Sequence, residues 1–315
     1  MNVAIFGAAG AIGPVAASEL ISRGHHVRAV GRSEAKLRAA LPGAEPFVAD
    51  LADPAGARAA AAGMDAILYA VGVPYHHFEL HPELMRITLA AAKEAGVKML
   101  IEISNVYVYG KPQTPTVAET HPLAPQTRKG RWRKEQEDLV LAAHDPSGLR
   151  TLVLRPPDFY GPTAANSVTA YALESIAAGK PANLLAPIST PHEWVFVPDL
   201  GPVLADLFER PEAFGTAYNI AGPGVLTERE FAEKLFAAAG KPFRFLEAGP
   251  LMLRAVGIFD PKMRELVEMA YLHETPVLLD DAKLRGVIGT IHKTSYDDGV
   301  RATVEARFGV PAAAR

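Results

Sequence analysis

The sequence predicts a doubly wound parallel α/β sheet followed by a smaller C-terminal α/β cap, on three observations. Short runs rich in Val and Ile alternate with longer alanine-rich segments of helical period up to about Arg155. Gly7, Gly10 and Gly13 fall at a three-residue spacing between the first of those runs and the first helical segment. After Arg155 the prolines Pro156, Pro157, Pro162, Pro181, Pro187, Pro191 and Pro198 accumulate and the alternation is lost, so a second region begins there.

The predicted strands are Val3 to Phe6, His26 to Val30, Pro46 to Ala49, Ala66 to Ala70, Lys98 to Ile103 and Thr151 to Leu154. Helices are expected near Ala11 to Arg23, Glu34 to Ala40, Pro54 to Ala61, Pro82 to Ala95 and Thr127 to Ala143. Gly24, Gly63, Gly96 and Gly148 punctuate the turns, where a positive φ closes the chain. Residues 1–155 therefore form one domain and 156–315 mainly a cap, with some of its segments returning to the sheet. In the second region, Thr227 with Glu230 has the spacing of a capping box, and a further helix is expected from Pro261 to about Leu272.

Composition narrows the function classes. With 315 residues, 49% hydrophobic and 21% charged, and a net charge of -3, the chain reads as a metabolic protein and not as a nucleic-acid binder. Cysteine is absent, so there is no thiolate nucleophile and no Cys-based zinc site. The first residues read as a strand and not as a signal peptide, and no apolar stretch reaches the roughly 20 residues that span a bilayer. A cytoplasmic location without a membrane anchor is the expectation.

The loop Gly7-Ala8-Ala9-Gly10-Ala11-Ile12-Gly13 is the strongest functional signal. Gly7 provides a tight exit from the strand, Gly10 lets backbone approach a pyrophosphate, and Gly13 lets the helix pack closely on the sheet. The amides near Ala11 and Ile12 and the helix dipole then attract the diphosphate. This context predicts a Rossmann-type dinucleotide site. At the end of the second strand stand Arg32 and Ser33, with no acid to take the ribose hydroxyls. A guanidinium and a hydroxyl suit a 2′-phosphate, so NADP(H) is preferred over NAD(H), although Arg32 also reads as a solvated helix-start residue. Asp50 and Leu51 are placed beside the adenine, with a turn-forming role equally open for Asp50, and Ala70, Val71 and Gly72 under the adenosine ribose.

Four segments together resemble the extended short-chain dehydrogenase/reductases, often labelled NAD-dependent epimerase/dehydratases. They are the glycine loop, Ile103-Ser104-Asn105-Val106-Tyr107-Val108-Tyr109-Gly110, Arg155-Pro156-Pro157-Asp158-Phe159-Tyr160-Gly161-Pro162, and Val195-Phe196-Val197-Pro198-Asp199-Leu200. The resemblance implies hydride transfer to or from a nicotinamide, with a Tyr exchanging the substrate proton, a Lys four residues later on the ribose, and a Ser or Thr on the substrate oxygen. It also implies a homodimer through the helices at Pro82 to Ala95 and Thr127 to Ala143.

This chain departs from that set. The Tyr-x-x-x-Lys segment reads as Gly130 to Lys134, so the lysine is present and the tyrosine is replaced by glycine. Asn105 stands where the Ser or Thr is expected, with Ser104 beside it. A displaced proton donor is sought among Tyr107, Tyr109, Tyr160 and the Tyr75-His76-His77 cluster, with Tyr109 and Tyr160 read first as packing residues. Metal ligation by His76, His77 and His81 is disfavoured, because no carboxylates accompany them at ligand spacing. The cations from Arg128 to Lys134 are countered by Glu135, Glu137 and Asp138, and some of them read as facing cofactor or anionic substrate.

For the substrate, Asp158 and His192 stand where a diphosphate-binding relative carries an amide and an arginine. A small carbonyl or hydroxyl compound is therefore expected, contacted by Tyr75, Asp158, His192 and Trp194. Phe159, Phe196, Met252 and Met263 are further candidates for an apolar lining. The alternative reading is a dinucleotide-binding sensor or regulator that has lost turnover.

Overall fold

The computed structural model describes residues 1–164, 168–249 and 268–309 of the chain. Its centre is a sheet of seven strands: β1 (Asn2–Phe6), β2 (His26–Gly31), β3 (Glu45–Val48), β4 (Ala66–Tyr69), β5 (Met99–Ile103), β6 (Arg150–Arg155) and, from the later half of the chain, β11 (Ala217–Asn219). The strand order is β11-β6-β5-β4-β1-β2-β3, and every pairing is parallel.

Both faces of this sheet are covered, which is why its strands read as continuous apolar runs and not as alternating ones. Val3 and Ile5 of β1 pack toward α1 (Gly13–Ser22), α2 (Glu34–Ala40) and α7 (Leu200–Phe208). Ala4 and Phe6 pack toward α3 (Pro54–Ala61), α4 (Leu80–Glu94) and α5 (Arg128–Ala142). A fully buried aliphatic side chain contributes about 1.5–3 kcal/mol, so these two layers dominate the stability of the first half.

Local signals fix the helix starts. Asp53 accepts from the amides of Ala55 and Gly56 ahead of α3, and Thr127 accepts from Gly130 ahead of α5. Helix α1 begins at Gly13, two residues later than the periodicity predicts, because Gly10 turns back to the Gly7 carbonyl and Pro14 sits in the first turn. Gly24, Gly63 and Gly96 have positive φ; Gly148 does not, since its turn is held by Asp145, which binds the Ser147 amide and hydroxyl.

Among the described residues the cap region carries three short strand pairs: β7 (Asp158–Tyr160) with β10 (Trp194–Phe196), β9 (Pro191–His192) with β12 (Leu226–Thr227), and β8 (Ala182–Leu185) with β13 (Phe245–Ala248). Their core collects side chains from α6 (Val168–Ala177) and α8 (Glu228–Ala238). Thr227 and Glu230 form the full reciprocal capping box at the start of α8. Most of the helix expected from Pro261 to Leu272 lies outside the described residues, as do Met252 and Met263. Phe196 belongs to the cap core and Phe159 packs, partly buried, against the core of the first half.

Candidate functional site

The glycine loop crosses the carboxyl ends of β1 and β4. Gly7 has φ +80°, and a Cβ there would lie 2.6 Å from the Ala70 carbonyl oxygen and 2.8 Å from the Val71 Cα. At Gly13 a Cβ would lie 1.9 Å from the Ala8 carbonyl oxygen. The loop is therefore folded back on itself with backbone where side chains would be, and the first amides of α1 open at its rim. Thr163 donates to the Ala11 carbonyl at 2.7 Å, which fastens the start of the cap to this loop.

Around the rim lie the other dinucleotide candidates. Arg32 is exposed at the end of β2, and Ser33 caps α2 by accepting from the Lys36 amide at 3.5 Å. Glu34 is turned away onto Arg38. Asp50 is exposed, with one oxygen taken by the Ala52 amide at 3.0 Å, while Leu51 is buried. Ala70 and Val71 abut Gly7, and Gly72 is exposed beyond them.

Beyond the end of β5 the chain makes one turn of 3-10 helix from Val106 to Tyr109, capped by Asn105 Oδ1, which accepts from the Tyr107 amide at 3.1 Å. Ser104 is buried and its hydroxyl donates to Glu137. The Tyr107 hydroxyl lies 3.5 Å from that of Tyr75. Burial, and after it the field of Asp158, pushes the Tyr107 phenol up to about 12, and burial with the neighbouring Tyr107 raises Tyr75 well above its ordinary value.

Helix α5 corrects the lysine assignment. Its buried face carries Lys129, Gly130, Arg133, Gln136 and Glu137. Lys134 falls outside that face, is 34% exposed, and pairs with Asp138 at 2.7 Å. The cations turned inward are Lys129 and Arg133, four residues apart as one helical face requires. Gly130 also faces inward, but a Cβ there would meet Pro125 Cβ and the Tyr107 carbonyl oxygen, each at 2.7 Å, so it has no room for a tyrosine. Lys129 Nζ sits 4.8 Å over the Tyr75 ring and 2.8 Å from Glu268. Burial alone would raise the Glu268 carboxyl; the bond and charge of Lys129, with the backbone amides of Arg128 and Lys129, together outweigh it and hold the group low.

The cations of this segment do not form one patch. Arg128 lies over Trp132, Arg131 donates to the Gln126 carbonyl, and Arg133 is sunk against His81 and Ile103. His77 is exposed on Glu79 while His81 is buried on Arg133, so the three histidines do not converge. Among the described residues, no three His, Asp or Glu side chains are grouped to hold a metal. Tyr109 and Tyr160 are both fully buried. Tyr109 bonds Arg155 and Asn219, and Tyr160 packs on Phe196 and Phe231.

On the cap side Asp158, His192 and Trp194 line a small cavity together with Pro187, Thr190, Glu228 and His273. His192 Nε2 lies 2.8 Å from Asp158 Oδ2, and the Trp194 ring is 4.6 Å from the imidazole. Burial would raise the Asp158 carboxyl, but the bond to His192 together with the His192 and His273 charges leaves it below its ordinary value. His273 and Glu228 were not legible in the sequence, because they reach the cavity from distant segments that carry no motif.

These features match a known family. The profile of the NAD(P)H-binding family covers residues 7–180, more than half of the chain. The chain belongs to this family. Within the NAD(P)H-binding family it has the architecture of the extended short-chain dehydrogenase/reductases. It superposes with a TM-score of 0.81 on DesIV, a dTDP-glucose 4,6-dehydratase from Streptomyces venezuelae with NAD and TYD bound; the match covers 97% of this chain and 96% of that one at 21% identity. It is 26% identical over 222 residues to the low-salt glycan biosynthesis protein Agl12 of Haloferax volcanii, a match covering 70% of this chain and 65% of that protein. It is likewise 26% identical over 220 residues to a dTDP-glucose 4,6-dehydratase of an Actinoplanes species, covering 70% of this chain and 63% of that protein. The chain thus spans less than two thirds of the length of either relative. Among the described residues, no helix is long and apolar enough to cross a membrane.

Proposed function

We propose that this chain is an NAD(P)-dependent oxidoreductase or epimerase of the extended short-chain dehydrogenase/reductase type, with NADP(H) preferred, acting on a small carbonyl or hydroxyl substrate through an altered proton donor. The observation that carries the reading is the backbone-tight glycine loop across the carboxyl ends of β1 and β4; the Tyr75–Tyr107 hydroxyl pair beside Lys129, and the Asp158–His192 pair whose charge acts on both phenols, supply the candidate chemistry. A bound nicotinamide would supply the hydride acceptor or donor. Gly7, Gly10, Gly13 and the amides near Ala11 and Ile12 would hold its diphosphate, with Asp50, Leu51, Ala70, Val71 and Gly72 around the adenosine.

Tyr107 exchanges the substrate proton, with Tyr75 as its hydroxyl neighbour. The Lys129 ammonium lends positive charge where an oxyanion develops, a stabilisation that is strongest in a water-poor site. Asn105 is a donor through its side-chain amide, while Ser104 is committed to Glu137. Lys134, at the surface, takes no part in this version of the chemistry. Replacing Lys129 by Met is expected to lower kcat at least 10-fold, and Lys134→Ala to change it less than 2-fold, in NADPH-consumption assays across a carbonyl panel. Equal effects of the two replacements would reverse the assignment.

The dTDP-glucose dehydratases to which the chain is similar act on a substrate bearing a diphosphate. Asp158, 36% exposed on the cleft, places negative charge against such a group, which favours an unphosphorylated compound here. For the cofactor, Arg32→Asp is expected to weaken NADPH about 10- to 100-fold while leaving NADH within a few-fold, the loss of one charge-assisted contact. Fluorescence titration of both reduced cofactors measures this.

A second reading is a non-catalytic NADP(H) sensor, favoured by one observation: Lys129, the cation beside the phenol pair, is engaged by Glu268. Tight NADPH binding with no turnover of any panel compound supports the sensor over the enzyme.

A further inference from the structure

Behind the end of β5, between β4, β5, α4 and α5, several polar side chains are enclosed that the proposed chemistry does not use. Tyr69, Thr88, Glu102 and Gln136 are fully buried, and Arg133 and His81 nearly so. Six of their atoms have no hydrogen-bonding partner among the described residues: Tyr69 Oη, Thr88 Oγ1, both Glu102 oxygens, Arg133 Nε and Gln136 Nε2. Tyr69 and Glu102 are register partners on neighbouring strands, and Arg133 Nη2 lies 3.9 Å from Glu102 Oε1. Arg133 also contacts His81 at 3.1 Å and donates to Gln136 Oε1 at 2.6 Å, which brings α4 and α5 into the same cluster.

Buried polar atoms are paired in nearly all native structures, by protein or by ordered water. Five of these atoms, on Tyr69, Glu102, Arg133 and Gln136, belong to side chains joined in one cluster, and together they point to a ligand. We propose that this space is an internal water-binding site, in which ordered water joins Glu102 to Tyr69, Arg133 and Gln136 and so leaves the Arg133 guanidinium to fix the end of β5.

The choice of water follows from the lining. Arg133 Nε and Gln136 Nε2 donate, the uncharged Glu102 carboxyl donates through one oxygen and accepts through the other, and the Tyr69 hydroxyl does either, so the occupant must both donate and accept. A cation there would meet the Arg133 charge, and an anion would meet the Glu102 charge once that carboxyl ionises. A neutral molecule with two donors and two acceptors satisfies every side, and two to four polar partners are what buried water requires.

Arg133 is a positioning residue in this arrangement. The same Nη2 that faces Glu102 donates to the Ile103 carbonyl at 2.8 Å, four residues before Tyr107. An uncharged, hydrated Glu102 leaves that donor on Ile103; an ionised Glu102 competes for it. Burial pushes the Glu102 carboxyl up to about 8, against the opposing field of Arg133. The other charged groups around it are Glu137 of α5, which raises it further, and Arg155 of β6, which lowers it. His81 from α4 is held neutral, because burial and the Arg133 charge push it down to about 2.

The test needs no substrate. A crystal structure of the full chain at better than about 1.5 Å, grown near pH 6, is expected to contain at least one water bonded to Glu102 and to Tyr69, Arg133 or Gln136, and Tyr69→Phe is expected to lose or displace it. A dry cluster at that resolution overturns the water site. Separately, the 13Cζ resonance of Tyr107 is expected to shift with a midpoint near the Glu102 value and to lose that transition in Glu102→Gln. A flat Tyr107 signal, or one that titrates unchanged in the variant, overturns the link through Arg133. The variant also carries a stability signature. The folded chain keeps a proton that the unfolded chain releases near 4.5, so wild-type Tm falls relative to Glu102→Gln as pH rises from about 5 to about 8 and then levels off.

Discussion

Arg155→Met is expected to destabilise the fold by about 3–5 kcal/mol, one of the two largest effects anticipated for single replacements in this chain. Arg155 is 2% exposed and holds the fully buried Glu137 through Nε at 3.1 and 3.0 Å and through Nη2 at 2.5 Å. Its Nη1 donates to the Tyr109 hydroxyl at 2.9 Å, and Tyr109 donates onward to Asn219 of β11 at 2.7 Å. Burial would lower the affinity of this guanidinium for its proton, yet the charge and hydrogen bonds of Glu137, with the contribution of Tyr109, together more than restore it. Methionine fills a similar volume but leaves Glu137 as a buried charge without its cation, which is where the cost arises. Urea unfolding measures the loss, with a fall in Tm on the order of 10 °C. Adding Glu137→Leu to Arg155→Met should recover most of the stability, because removing both charges of a buried pair is often neutral. If the double variant is no more stable than the single one, the cost lies in packing and not in the unpaired carboxylate.

The contrast between β1 and α5 explains what the sequence disclosed. The strands and the glycine loop are local objects: each of Val3 to Phe6 is buried, so the apolar run is unambiguous, and the glycines follow it directly. The buried face of α5 is instead made of Lys129, Arg133, Gln136 and Glu137, partners of Glu268, His81, Glu102 and Arg155 from elsewhere in the chain. Apolar periodicity is silent on such a helix, and with Arg131, Arg133 and Lys134 all cationic the helical phase could not be fixed. The usable signal was the four-residue spacing of Lys129, Arg133 and Glu137, one face of a helix, which places Lys134 about 100° away from it. Asp158 and His192 were reachable from the motifs, but Glu228 and His273 meet them, and Glu268 meets Lys129, only through tertiary packing.

Gly13→Val is expected to lower affinity for reduced dinucleotide at least 100-fold, the other large effect, and the geometry makes the cause specific. A Cβ at residue 13 would stand 1.9 Å from the Ala8 carbonyl oxygen and 2.6 Å from its carbon. Both are backbone atoms, so no side chain can swing aside, and either the loop opens or the start of α1 moves. The helix is anchored elsewhere: Arg23 at its end pairs with Asp206 of α7 at 2.7 Å, and a Cβ on Gly201 of that helix would lie 2.9 Å from the Val15 carbonyl oxygen. The loop is therefore the part that yields, and with it go the amides and the dipole end that a diphosphate needs. Gly10→Ala makes the graded comparison. Its Cβ would lie 3.0 Å from the Gly7 carbonyl oxygen, a contact relieved by a small shift, so a loss of about 10-fold or less is expected. NADPH fluorescence titration gives the affinities, and circular dichroism at the same temperature separates lost binding from lost folding. A folded Gly13→Val variant that binds within 3-fold of wild type would mean that the diphosphate is seated somewhere other than this loop.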